Sequence, residues 1–166
     1  MNSTVPHPDH SEFRVSCAVI TVSDTRTPET DKSGQLIHQF LQNAGYPIID
    51  YQIIKDEPQE ITELLKKLCQ ISELDACIFN GGTGIAPRDT TYDALEQLLE
   101  KTLPGFGEIF RALSYHEIGS RAIASRAVAG VYQGKLVFSI PGSSNAVKLA
   151  MEKLIIPELA HLVKLS

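Results

Sequence analysis

Between residues 79 and 95 the chain reads FNGGTGIAPRDTTYDAL, a stretch holding several residue types that handle phosphate. Gly81, Gly82 and Gly84, with Thr83 between them, let a backbone approach an anion with its N–H groups turned inward, because no Cβ stands in the way. Arg88 carries a planar fork that can pair with phosphate oxygens, and Asp89 can hold a hydrated magnesium ion that bridges a polyphosphate. Thr90 and Thr91 add two hydroxyls at an expected helix start, where free N–H groups contribute positive potential. Each residue alone also has a plainer use: a tight turn for the glycines, a helix cap for the aspartate, a solvated position for the arginine. The cluster points to phosphate chemistry more than any member does. Neither GxxxxGK[ST] nor GxGxxG occurs, so the two usual nucleotide fingerprints do not apply.

Two further loops bring carboxylates toward the same edge. SDTR, residues 23–26, carries Asp24, and KDE, residues 55–57, carries Asp56. With Asp89 they would form an acidic cluster that calls for a cation, although Asp24 equally suits an Asx turn. A fourth loop, PGSSNA at 141–146, joins an apolar run to a helix through Pro141, Gly142, Ser143 and Ser144. The serines suit helix caps, and their N–H groups also offer a second anion site. Two anion sites on one edge suggest two phosphorylated substrates.

These loops need a frame. RVSCAVITVSD, from Arg14, is apolar on both parities, the pattern of a strand buried on both faces of a parallel sheet. KSGQLIHQFLQNAGY places Leu36, Ile37, Phe40 and Leu41 at helical spacing and ends at Gly45. PIIDYQIIKD reads as a strand, EPQEITELLKKLCQIS as a helix with Pro58 in its first turn, and DACIFNGG as a third strand. TTYDALEQLLEKTL and GFGEIFRALSYHEIG read as helices, and AGVYQGKLVFSIPG as two short strands joined at Gln133 and Gly134. In the last helix Pro157 predicts a kink or a break. The alternation predicts an α/β fold, a three-layer α/β/α sandwich around a mostly parallel sheet. The glycine loops then fall at the carboxyl ends of strands, where such folds place ligands. Phe106, Ile109, Phe110 and Leu113 read as core or subunit interface rather than a cofactor box, and His116 as a surface residue.

The chain has 166 residues, 43% of them hydrophobic, which suits one domain with its own core. A formal net charge of −5 gives no support to a nonspecific grip on nucleic acid. Cys17, Cys69 and Cys77 lie in or beside apolar stretches without CxxC spacing, which fits buried thiols in a reducing compartment. No apolar run has the length of a membrane span. Residues 1–12, MNSTVPHPDHSE, are too polar for a signal peptide and read as a loose tail before a domain at 13–166. A cytoplasmic protein is the expectation.

NGGTGIAPRDTTYDAL, PGFGEIFRALSYHEIGSRAIASRAVAG and VFSIPGSSNAVKLAMEKLIIPEL, taken together and in this order, closely resemble the molybdenum cofactor biosynthesis MoaB/MogA family, its MoaB branch in particular. The similarity runs from about Phe13 onward. It implies a three-layer α/β fold and adenylylation of molybdopterin by Mg-ATP with release of pyrophosphate. By the same resemblance Asp56 and Asp89 are associated with Mg2+ and catalysis. Gly81 to Gly84 match the family's nucleotide- or phosphate-binding loop, and Ser143 with Ser144 match its PGS loop near the substrate. A homo-oligomer, a trimer or a pair of trimers, is implied likewise, and other enzymes of the pathway are possible partners. Some MoaB-branch members lack the Arg-Asp-Thr pattern after GGTG and are not adenylyltransferases; this chain keeps RDTT.

In the implied reaction no protein nucleophile is needed, because phosphoryl chemistry of this kind rests on positioning and charge neutralisation, with Arg88 and the loop amides facing developing charge. Two other readings stay open: a carrier that binds molybdopterin without using ATP, and a metal-dependent phosphate-ester hydrolase.

Overall fold

The computed structural model describes residues 13–166; the expected tail at 1–12 lies outside them. Strand β1 (Cys17–Val22) is buried at all six positions, as its apolar run on both parities requires. Helix α1 (Lys32–Asn43) starts from Asp31, whose carboxylate accepts the Gly34 N–H, and ends at Ala44, one residue before Gly45. β2 (Ile48–Ile54) leads to α2 (Pro58–Leu68), which opens on Pro58 and buries Ile61, Leu64, Leu65 and Leu68. β3 (Ala76–Asn80) is again buried throughout. α3 (Thr91–Leu98) follows the glycine-rich loop. After it come a two-residue strand, β4 (Lys101–Thr102), and α4 (Pro104–Ile118) with a short 3-10 turn at Gly119–Ala124. β5 (Val128–Tyr132) and β6 (Lys135–Ile140) form a hairpin through Gln133 and Gly134. α5 (Ser144–Ala150) runs through a π turn at Met151–Ile155 into α6 (Ile156–Leu165).

The sheet order is β2-β1-β3-β6-β5-β4. β2, β1, β3 and β6 are parallel neighbours; β5 runs antiparallel to β6 and to β4. Alternate residues of the central strands feed two cores. Cys17, Val19, Ile78 and Phe138 pack with α1, α4, α5 and α6 on one face, while Ala18, Ile20, Cys77 and Phe79 pack with α2 and α3 on the other. The expected three layers result.

Three details differ from the sequence pattern or sharpen it. Helix α3 does not continue to Leu103. The Glu100 and Leu103 N–H groups donate instead to the Val131 and Ala129 carbonyls, because the free edge of β5 takes up this segment and Pro104 biases its predecessor away from helix. Pro157 neither breaks nor ends the last helix. The π turn just upstream absorbs the missing N–H and the clash of the ring with the carbonyl four residues back. Phe110 is buried in α4 with Phe106 and Leu113 packed on the core, whereas Ile109 is 51% exposed.

Candidate functional site

The parallel strands deliver four loops to one edge. Gly81 and Gly142 meet there: a Cβ on Gly142 would stand 3.1 Å from the Gly81 Cα. One on Gly81 would lie 2.3 Å from the Val22 carbonyl oxygen, and one on Gly82 would lie 2.2 Å from Thr91 Oγ1 and 2.5 Å from Asp56 Oδ2. Gly81 and Gly82 also have φ of 102° and 67°. The pair is therefore required by close packing of the backbone as well as by its conformation. The loop after β1 joins from the side, where Arg26 Nη2 donates to the Gly142 carbonyl at 3.1 Å and the Ser33 hydroxyl donates to the same oxygen.

Asp56 is buried beneath the glycine loop. Its Oδ1 accepts the Thr90 N–H at 3.1 Å, the Thr90 hydroxyl at 2.7 Å and the Thr91 hydroxyl at 3.0 Å, so it caps α3 from a different loop. Thr90 and Thr91, at the expected helix start, both spend their hydroxyls on Asp56, and Thr90, the N-cap residue, makes no side-chain cap of its own. Ser143 does cap its helix, accepting the Ala146 N–H at 3.3 Å.

Asp24 reaches the neighbourhood, accepting the Asp56 N–H at 3.2 Å, but the cation it faces is Arg88. Arg88 Nη2 lies 2.7 Å from Asp24 and Nη1 2.6 Å from Glu57, and the arginine side chain is 57% exposed. The hydrogen bond from Arg88 holds the Asp24 carboxyl below its ordinary range, with the Asp56 N–H adding to the effect. Among the described residues no group of three or more His, Cys, Asp or Glu side chains is placed to hold a metal ion.

Asp89 differs from these carboxylates. It is half-buried against the loop, where a Cβ on Gly84 would lie 2.6 Å from Asp89 Oδ2, and among the described residues its carboxylate takes part in no hydrogen bond or ion pair. The N–H groups of Gly82, Thr83, Gly84 and Ile85 likewise donate to no acceptor among the described residues. A run of free amides beside an unpaired carboxylate can take a phosphate and a cation together.

One residue at this edge carried no sequence signal. Arg126, two residues before β5, donates from Nε to the Thr83 carbonyl at 2.8 Å and from Nη2 to the Gly84 carbonyl at 2.6 Å. It also grips Asp93 at 2.9 and 3.0 Å and lies 4.4 Å above the Tyr92 ring. A lone arginine ahead of a strand matches no spacing rule; only the fold brings it to the loop.

Residues 18–161 match the family described as "Probable molybdopterin binding domain". The chain is 58% identical over 163 residues to molybdenum cofactor biosynthesis protein B of Bacillus subtilis, covering 98% of this chain and 96% of that protein. A crystal structure of a molybdenum cofactor biosynthesis protein B superposes with a TM-score of 0.90 at 49% identity, over 93% of this chain and 96% of the other. The tungsten cofactor synthesizing protein MoaB of Pyrococcus furiosus superposes at 0.83 with 38% identity, over 93% and 98% of the two chains. With its fold and its near full-length similarity in agreement, the chain belongs to the molybdenum cofactor biosynthesis MoaB/MogA family, on its MoaB branch.

Proposed function

We infer that this chain adenylylates molybdopterin with Mg-ATP in the cytoplasm, giving adenylyl-molybdopterin and pyrophosphate. An oxygen of the pterin's terminal phosphate bonds to the α-phosphorus of ATP as the bond from that phosphorus to the bridging oxygen breaks in line, and the electron pair leaves with pyrophosphate. The observation that carries the reading is the run of unengaged amides from Gly82 to Ile85 beside the unpaired Asp89 carboxylate. Such amides neutralise phosphate charge without reorganising. Magnesium, when bound, offsets the repulsion between the two polyanions. Asp89 would hold it together with Asp56, whose Oδ1 is taken by the threonines and whose Oδ2 lies against Gly82.

The loop of Pro141, Gly142, Ser143 and Ser144 would receive the second phosphate-bearing substrate, since Gly142 abuts Gly81 and so sets the two loops side by side. Arg88 would reach a phosphate with the two N–H donors that Asp24 and Glu57 leave, or by exchanging one of those carboxylates for it.

The experiment is pyrophosphate release from Mg-ATP with and without molybdopterin, for the native chain and Asp89→Asn. Release that needs the pterin, with a loss of about 100-fold or more in the variant at unchanged fold, is expected. Pterin binding without release would make the chain a carrier. Phosphate release from an ester without ATP would make it a hydrolase.

A further inference from the structure

We propose that Arg126 is the positioning residue that aims the Gly84 and Ile85 amides at their phosphate, a role that rests on the transferase reading above. In a trans peptide the C=O and the N–H of one plane point in opposite directions, and the described chain has no cis peptide. Arg126 holds the Thr83 carbonyl by Nε, so the Gly84 N–H of that plane points away from the guanidinium. It holds the Gly84 carbonyl by Nη2, so the Ile85 N–H does the same. Two successive amides of the loop are thereby fixed by one rigid planar fork. The fork is itself immobilised by both oxygens of Asp93 and by the Tyr92 ring, which stand in the first turn of α3. The loop is thus tied to the helix that follows it, and its glycines, which alone would leave it free, are held in one conformation before any ligand arrives. Binding then loses less entropy, because the ordering is already done.

This places the role in the geometry of the fork and not in its charge. A lysine keeps the cation but cannot meet two carbonyls and a carboxylate from one plane. Arg126→Lys and Arg126→Gln should therefore behave alike. Both are expected to raise KM for one of the two phosphate-bearing substrates, Mg-ATP or molybdopterin, about tenfold while kcat stays within about threefold. They should also speed tryptic cleavage after Arg88, inside the loop, about tenfold relative to cleavage elsewhere in the same folded protein. Loss of packing in general would instead lower Tm and speed cleavage at every site.

Native KM in Arg126→Lys, or native KM and native cleavage after Arg88 in both variants, overturns the proposal. A native chain that binds neither Mg-ATP nor molybdopterin overturns the transferase reading and the ligand part of this one. The cleavage comparison then shows separately whether the arginine holds the loop.

Discussion

Asp56 accepts three hydrogen bonds from the start of α3, whereas the Asp89 carboxylate, beside the same loop, accepts none among the described residues. Two carboxylates paired by the family resemblance thus differ in what they do for the fold, and this difference can be measured. Asp56→Ala removes the acceptor of a half-buried N–H and two hydroxyls, and should lower the unfolding free energy by about 1–3 kcal/mol in urea melts, in addition to any loss of turnover. Asp89→Asn should change it by no more than about 0.5 kcal/mol, because it deletes no contact the fold uses. Equal destabilisation by the two would mean that Asp89 is structural and would remove the reason for treating it as a metal ligand. The residue types at both positions were legible in the sequence, but their division of labour was not, since Thr90 and Thr91 reach Asp56 only after α2 and α3 pack side by side. Arg126 was invisible for the same reason: its partners lie 33 to 43 residues away in sequence.

At the scale of elements, the strands and the loops that follow them were readable because burial on both faces demands apolar runs, and turns demand glycine or proline. Where α3 gives way to β4 was not readable, because Leu-Glu-Lys-Thr-Leu suits a helix locally and is claimed by the open edge of β5 only in the folded sheet. The glycine-rich loop after β3 shows how packing adds to conformation. Gly82 and Gly134 both have positive φ, at 67° and 75°, but nothing stands within 4 Å of a Cβ on Gly134, whereas Thr91 and Asp56 crowd one on Gly82. Gly134→Ala should therefore cost only the left-handed backbone penalty, about 1 kcal/mol. Gly82→Ala should cost at least about 2 kcal/mol, since the α3 cap must move as well. If urea melts place the two together, the 82–91 contact is not part of what holds the loop, and the glycine there serves conformation alone.

On the scale of the whole molecule, the sheet separates two apolar layers, each with a buried thiol: Cys17 on the side of α1 and Cys77 on the side of α2. Burial, with Asp75 adding to it, pushes the Cys17 thiol up to about 12 from its ordinary 9.0, and burial raises Cys77 further still. The sign of the linkage follows. A group raised in the folded state leaves stability intact below its unfolded value and removes it as pH climbs toward the folded one, because only the unfolded chain releases the proton. Stability should therefore fall above pH 9, each thiol contributing about 1.4 kcal/mol of loss by pH 10. Lysines and tyrosines also titrate there, so the decisive comparison is between the native chain and the double variant Cys17→Ala, Cys77→Ala. Its unfolding free energy should start lower at pH 8, because two small cavities open, yet fall less steeply between pH 8 and 10. Parallel slopes would mean that both thiols ionise without unfolding, and that water reaches both layers in the native state.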